Sequence, residues 1–220
     1  LFDLIVSSAE VMLPLLDRET GAMPPGQNGP YLDDETPVRT TGHWLITFLK
    51  AHTISGQRRY LEAALEAASY LNTSAVRPMD AAFWHRRSEG KDSCNGLIGQ
   101  AWSIEALAAA AKHFPGRGFR RLGEEVFLLH PFDQELGLWR RVDVDGSVLS
   151  YDSTFNHQLW FAAAGASLLP SQDQRIHDRV LRFLDRLPKN LRLCPSGLIY
   201  HALPLGSPLI SWLRRVKRTV

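Results

Sequence analysis

The sequence of 220 residues has little cysteine, no long uninterrupted apolar run and almost no net charge. Two cysteines, Cys94 and Cys194, cannot build the disulfide framework of a small secreted domain, so a reducing, cytoplasmic setting is the expectation. No stretch reaches the roughly 18 consecutive apolar residues that a membrane span needs. The segment from Leu1 to Leu16 contains Asp3 and Glu10 and lacks a basic start, which does not fit a secretory signal. A formal net charge of +2 gives no reason to expect nucleic acid as a partner. The one dense basic run, Arg214, Arg215, Lys217 and Arg218, reads as a solvated tail. The histidines show neither HxxxH nor HExxH spacing, and neither cysteine belongs to a CxxC. Phosphate loop, nucleophile elbow and dinucleotide fingerprint are absent too. Neither a metal nor a cofactor is therefore expected.

What the chain does have is a repeat. Trp44, Trp102 and Trp160 stand 58 residues apart, each early in an apolar run rich in Ala or Leu. Self-similarity at a fixed long period marks a repeat architecture. Apolar residues at helical spacing predict helices over 2–17, 39–54, 57–73, 96–113, 118–129, 154–168 and 173–187, with a weaker eighth near 207–217. Short joints (Ile54-Ser55-Gly56, Pro115-Gly116-Arg117 and Pro170-Ser171-Gln172) make antiparallel neighbours of the helices they connect. The other connections, near 18–38, 74–95, 130–153 and 188–206, are long, and connections of that length usually carry function or structure of their own. Each holds a short apolar or aromatic segment: GAMP at 21–24, AFWH at 82–85, GLWR at 137–140 and GLIYH at 197–201. Val142 to Val148, with Asp145-Gly146 in its middle, reads as a small hairpin.

The repeat unit is thus a helix, a tight turn, a second helix and a long loop, with all long loops on one rim. Helices 39–54, 96–113 and 154–168 are rich in small residues, as an inner ring requires. Their partners carry Arg and Glu, as suits a solvated outer ring. The expected fold is all-α: an (α/α) toroid, or part of one, built as a single domain over 1–220 with short extended segments in the rim loops. About three and a half hairpins are visible. With a leucine rather than a methionine at position 1, a fragment of a longer protein is one expectation.

Polar side chains gather where inner helices begin: Asp33, Asp34, Glu35, Arg39 and His43; then Asp92, Ser93, Asn95 and Gln100; then Asp152, Asn156, His157 and Gln158. Carboxylates, amides and aromatic faces of this mixture bind sugars, and the rim adds Trp84, Trp139 and Tyr200. Asp92 and Asp152 also stand where helix N-caps belong. A carboxylate within a turn of an imidazole and an amide can do acid/base work, which singles out Asp152, Asn156 and His157. Arg39 and His43 share a helix face and suit either a carboxylate on a ligand or the acidic stretch Asp33-Asp34-Glu35. Trp160 lies one turn after Asn156, on the same face, and the three tryptophans read either as inner-wall packing or as substrate platforms.

The run Asn95-Gly96-Leu97-Ile98-Gly99-Gln100-Ala101-Trp102, and that from Asp152 through Asn156 to Trp160, resemble inner-helix motifs of the six-hairpin glycosidases. The likeness is nearest to the unsaturated glucuronyl and rhamnogalacturonyl hydrolases. It implies an α/α toroid and makes Asp152 a general acid/base with Asn156 beside it. Ile98 stands where those hydrolases usually carry an arginine, and the order of the two motifs is reversed. The resulting expectation is a glycoside hydrolase of bacterial polysaccharide metabolism acting on a small sugar or oligosaccharide. Asp152 and His157 are its catalytic residues, and Arg39, His43, Asn95, Gln100, Asn156, Trp84, Trp139 and Trp160 contact substrate. The alternatives are a sugar epimerase or lyase on the same scaffold, resting on His43 and His157, or a non-catalytic glycan-binding protein. The sequence leaves the oligomeric state open.

Overall fold

The computed structural model describes residues 1–28, 32–203 and 205; the weak eighth helix near 207–217 and the basic run Arg214 to Arg218 lie outside the described residues. Seven α-helices appear among the described residues: α1 (Phe2–Met12), α2 (Pro37–Ser55), α3 (Arg58–Leu71), α4 (Gly96–His113), α5 (Phe119–Leu129), α6 (Phe155–Ser167) and α7 (Gln174–Asn190). The first is shorter than the pattern 2–17 suggests. Pro14 interrupts it, and Leu13–Leu15 tighten into a 3-10 turn. The others fall within a few residues of their apolar periods. None of the described helices is long and apolar enough to cross a membrane.

Local chemistry sets the helix ends. The Thr36 hydroxyl caps α2 by accepting from the Val38 amide, Pro37 occupies its first turn, and Gly56 ends it in the left-handed region. The Asp173 carboxylate accepts from the Arg175 amide and starts α7. The hairpins are α2 with α3, α4 with α5 and α6 with α7. Helices α2, α4 and α6 pack side by side as an inner layer, with α3, α5 and α7 behind them. Helix α1 leans on α2 and reaches α3 through Tyr60, whose hydroxyl donates to Glu10 at 2.7 Å. That makes it the outer half of one more hairpin.

Small residues hold the layers close. Ala63, Ala64, Ala67 and Ala68 of α3, and Ala101, Ala106 and Ala110 of α4, are fully buried. Gly165 of α6 is required by packing, because a Cβ there would lie 2.3 Å from Cε2 of Phe127. Behind it sits an aromatic cluster of Phe127, Phe132, Trp139, Phe161 and Phe183, with Phe127 stacked on Phe161 at 5.0 Å. Truncating one such ring costs about 3–5 kcal/mol.

The long connections lie on one rim, as the alternation of loop lengths requires. Strands β1 (Gln27–Asn28) and β2 (Asp33–Asp34) form one antiparallel pair. Strands β3 (Phe132–Asp133), β4 (Leu138–Val142) and β5 (Val148–Tyr151) form a three-stranded sheet. Its register pairs Phe132 with Trp139 and Arg140 with Tyr151, and β4 and β5 make the hairpin expected around Asp145-Gly146. Glu35 bridges to Arg86, and Thr154 to Ala202, so each rim loop ties to its neighbour.

Candidate active site

Two buried glutamines fix the rim segments against the inner layer. Gln100 accepts from the Phe83 amide at 2.8 Å and donates to the carbonyls of Phe83 and Cys94 at 3.0 and 2.9 Å. Gln158 does the same one repeat later, accepting from Trp139 N at 2.9 Å and donating to Trp139 O and Asp152 O at 2.8 and 3.1 Å. Both are wholly buried with their amides fully used. The expectation that Gln100 touches substrate is therefore corrected: an amide that closes three internal bonds away from solvent has nothing left for a ligand. Trp139 is corrected as well. It is fully buried in the aromatic cluster, packed against Phe127, Phe132, Phe161 and Phe183.

The α4 N-terminus gathers two carboxylates. Asp92 accepts from the Gly96 amide at 2.9 Å, from Arg86 Nη2 at 3.0 Å and from Arg141 Nη1 at 2.5 Å. Asp152, from the next rim loop, accepts from the Leu97 amide at 3.0 Å through Oδ2 and from the Thr154 amide at 3.1 Å through Oδ1. Free backbone amides and the helix dipole favour anions there. Gly96 makes room for it: φ is +62°, and a Cβ would lie 2.7 Å from Asp152 Oδ2.

Asp152 Oδ2 also receives a third bond, from His157 Nδ1 at 3.0 Å. Burial alone would raise the Asp152 pKa. The His157 hydrogen bond and charge, with the Leu97 and Thr154 amides, outweigh it and hold the carboxyl below its ordinary value. An ionised carboxylate only accepts, so Nδ1 is protonated whether or not the ring is charged, and in the neutral ring Nε2 keeps its lone pair. The His157 side chain is 27% exposed, and Nε2 makes no hydrogen bond among the described residues. The pair is thus a carboxylate-oriented imidazole with one nitrogen free.

A second group lies across the seam between α2 and α4. Arg39 donates to Glu35 at 2.7 Å, and its guanidinium stands 4.6 Å from the Trp102 ring centre. The acidic stretch thus takes up Arg39, one of the two readings left open by the sequence. His43 is exposed, with its ring 5.4 Å from Trp102. Desolvation against its neighbours and the Arg39 charge lower its pKa, while Glu105 works against them. At the next seam Trp160 Nε1 donates to Glu105 at 3.2 Å, leaving the ring 44% exposed. Trp102 and Trp160 therefore sit at the seams between inner helices. Asn156 is exposed on the first turn of α6.

Asn95 and Trp84 belong to the rim framework. Asn95 adopts the left-handed conformation, is buried, and accepts from Arg86 Nη1 at 3.2 Å. Trp84 Nε1 donates to Arg86 O at 2.9 Å, with Arg87 over its ring. Arg86, Arg141 and Asp143 hold this framework, and sequence reasoning passed over them. They reach partners up to 50 residues away, with no local pattern to mark them. Buried His85 was missed too; its Nε2 faces the Ser103 hydroxyl at 3.0 Å. Among the described residues no group of three or more His, Cys, Asp or Glu is arranged to hold a metal ion.

No protein-family model matches the chain. In overall structure it is similar to D-mannose isomerase, with a TM-score of 0.66 at 14% identity over 89% of this chain and 56% of that one. It is similar also to an unsaturated glucuronyl hydrolase specific for heparin, with a TM-score of 0.62 at 16% identity over 94% of this chain and 61% of that one. The chain shares the α/α-toroid fold of these solved structures, among them an isomerase and a hydrolase. In sequence it is 51% identical over 203 residues to Archaeal glycosylation protein Q of Haloferax volcanii, which covers 92% of this chain and 54% of that protein. The chain thus spans about half the length of the curated relative it matches.

Proposed function

We propose that the chain forms the catalytic part of a sugar-converting enzyme of glycan assembly, in which His157 moves a proton to and from a sugar carbon. The observation that carries this reading is the Asp152–His157 pair. Asp152 accepts three hydrogen bonds and is held ionised, so it is poorly suited to donate a proton. His157 keeps Nε2 open, and imidazole exchanges protons near neutral pH. Asp152 is then a positioning residue that fixes the tautomer, and His157 is the acid/base. His43 and Glu105 stand across the seam as partners for the opposite proton transfer, and the exposed faces of Trp160 and Asn156 receive the sugar. Isomerisation or epimerisation fits these roles. The likeness to D-mannose isomerase and the similarity to a glycosylation protein support the reading.

Hydrolysis is the second reading, favoured by Glu105, a half-buried carboxylate of α4 bound to the Trp160 indole, and by the likeness to the glucuronyl hydrolase. Incubation with a panel of hexoses, uronic acids and oligosaccharides in deuterated water separates the two. Isomerisation or epimerisation leaves carbon-bound deuterium without a new reducing end; hydrolysis releases a reducing end. His157→Gln should lower turnover about a hundredfold or more. Asp152→Asn should lower it less and shift its pH profile. Unchanged turnover in His157→Gln would remove the proposed role.

A further inference from the structure

Arg141 joins two segments that lie far apart in sequence, and both lead to Asp152. Strand β5 carries a bulge: Arg140 pairs with Tyr151 and Val142 with Val148, so Arg141 alone faces Leu149 and Ser150. An extra residue of this kind loses its ladder bonds, bends the strand and re-aims the side chains beyond it. Here both bulged carbonyls are taken by side chains of β4. Arg140 Nε donates to Leu149 O at 3.1 Å, and Arg141 Nε to Ser150 O at 3.4 Å. Arg141 Nη2 adds a bond to the Ser150 hydroxyl at 2.8 Å. Ser150 stands two residues before Asp152.

The other end of the same guanidinium reaches α4. Nη1 donates to Asp92 Oδ2, while Oδ1 of that carboxylate accepts from the Gly96 amide at 2.9 Å. The next amide along the chain, that of Leu97, donates to Asp152 Oδ2. Asp143, just after β4, accepts from the Ser93 and Cys94 amides at 3.0 Å each. The hairpin thus grips three consecutive residues just before α4, and Asp152 is seated on the helix beside that grip. Arg86 binds the same carboxylate, but its other partners, Asp92 O, Asn95 and Asp33, lie outside the hairpin.

We propose that Arg141 is a positioning residue of the Asp152–His157 pair: it holds the bulge against the start of α4 and so sets where the carboxylate meets Nδ1. The inference rests on the reading of His157 as the proton-moving group. A guanidinium stays charged at every relevant pH, so the strut does not loosen while His157 titrates. Its planar fork bonds Asp92 and Ser150 at once, which the single ammonium of a lysine does not reproduce. An ion pair that served stability alone would need only Asp92. The two bonds to Ser150 add nothing to charge balance, and they are what ties the pair to the strand of Asp152.

Nitrogen-15 NMR of the His157 ring in the full chain tests this, with Arg141→Gln and Arg141→Lys compared with the parent. The preference of the neutral ring for a proton on Nδ1 should be lost in Arg141→Gln and weakened in Arg141→Lys. The lysine variant keeps a charge opposite Asp92, so it remains a folded test where the glutamine variant is too unstable. Asp92→Asn keeps an acceptor oxygen for the guanidinium and should retain the preference. Arg179→Gln controls for lost stability, because Arg179 is bonded to the Leu128 and His130 carbonyls; its His157 ring should match the parent. On a substrate that the parent converts, Arg141→Gln should lower kcat about tenfold or more and change KM about twofold or less. An unchanged tautomer in both Arg141 variants, or the same change in Arg179→Gln, overturns the inference. Full turnover in His157→Gln would instead remove the proposed proton transfer and leave the tautomer result standing, so the two failures are distinct.

Discussion

Helices α4 and α6 begin in the same way and end up with different chemistry. Each carries a glutamine, Gln100 or Gln158, that holds both backbone groups of a rim residue, and each follows an aspartate. At α4 that aspartate, Asp92, faces two guanidinium groups, Arg86 and Arg141. At α6 it is Asp152, which faces the imidazole of His157. A guanidinium keeps its proton at any relevant pH, whereas an imidazole exchanges it near neutrality. One repeat has therefore become a clamp and the next a group able to move protons. The difference lies in the facing side chains and not in the scaffold.

Acid should strain both units, and this is the largest effect expected. Each has one buried neutral histidine: His85 with its pKa lowered by burial to about 3, and His130 to about 4, against 6.5 when unfolded. Below pH 6.5 the unfolded chain binds more protons than the folded one. Stability is therefore full above 6.5 and declines as pH falls towards the folded values. At pH 5 the loss is about 2 kcal/mol per ring, or about 4 kcal/mol for both. Urea unfolding at pH 7 and pH 5 measures it. His85→Gln should keep about half of the pH dependence; a loss confined to one ring would break the symmetry between the units.

The glutamine clamps come next. Gln100→Ala and Gln158→Ala each leave buried N–H and C=O groups without partners, at a cost of about 3 kcal/mol. Matching losses in denaturant unfolding support equivalent roles, and a near-neutral Gln158→Ala would show that the second clamp is dispensable. Gly96→Ala should cost about 2 kcal/mol, because φ is positive and the new Cβ would meet Asp152. Gly56→Ala has the same backbone sign and open space around it, so it isolates the conformational part. The excess at Gly96 measures how tightly Asp152 is seated on α4.

Much of the scaffold was legible because helical periodicity and loop length are local signals. The hairpins follow from runs such as Leu97 to Ala111 and from the short joints at Gly56 and Gly116. The site was legible only in part. Asp152 and His157 are five positions apart at a helix start, so their meeting could be read from the sequence. Part of the environment that seats the carboxylate, the Leu97 amide and the room at Gly96, comes from more than fifty residues upstream. Gln100 and Trp139 were misread for a related reason: polarity and aromaticity suggested a ligand, while pairing with the rim backbone and packing among distant aromatic rings used them internally. Asp92 resembles Asp152 in sequence, and the groups that face them, Arg86 and the distant Arg141 against His157, separate their roles.

The central claim is that Asp152 fixes the tautomer of His157 and leaves Nε2 as the working nitrogen. Nitrogen-15 NMR of the His157 ring, followed through its titration, tests this without knowledge of the substrate. The account predicts a neutral ring protonated on Nδ1 with a bare Nε2, a preference lost in Asp152→Asn and kept in Asp92→Asn. A neutral ring protonated on Nε2, or the same tautomer in Asp152→Asn, would contradict it.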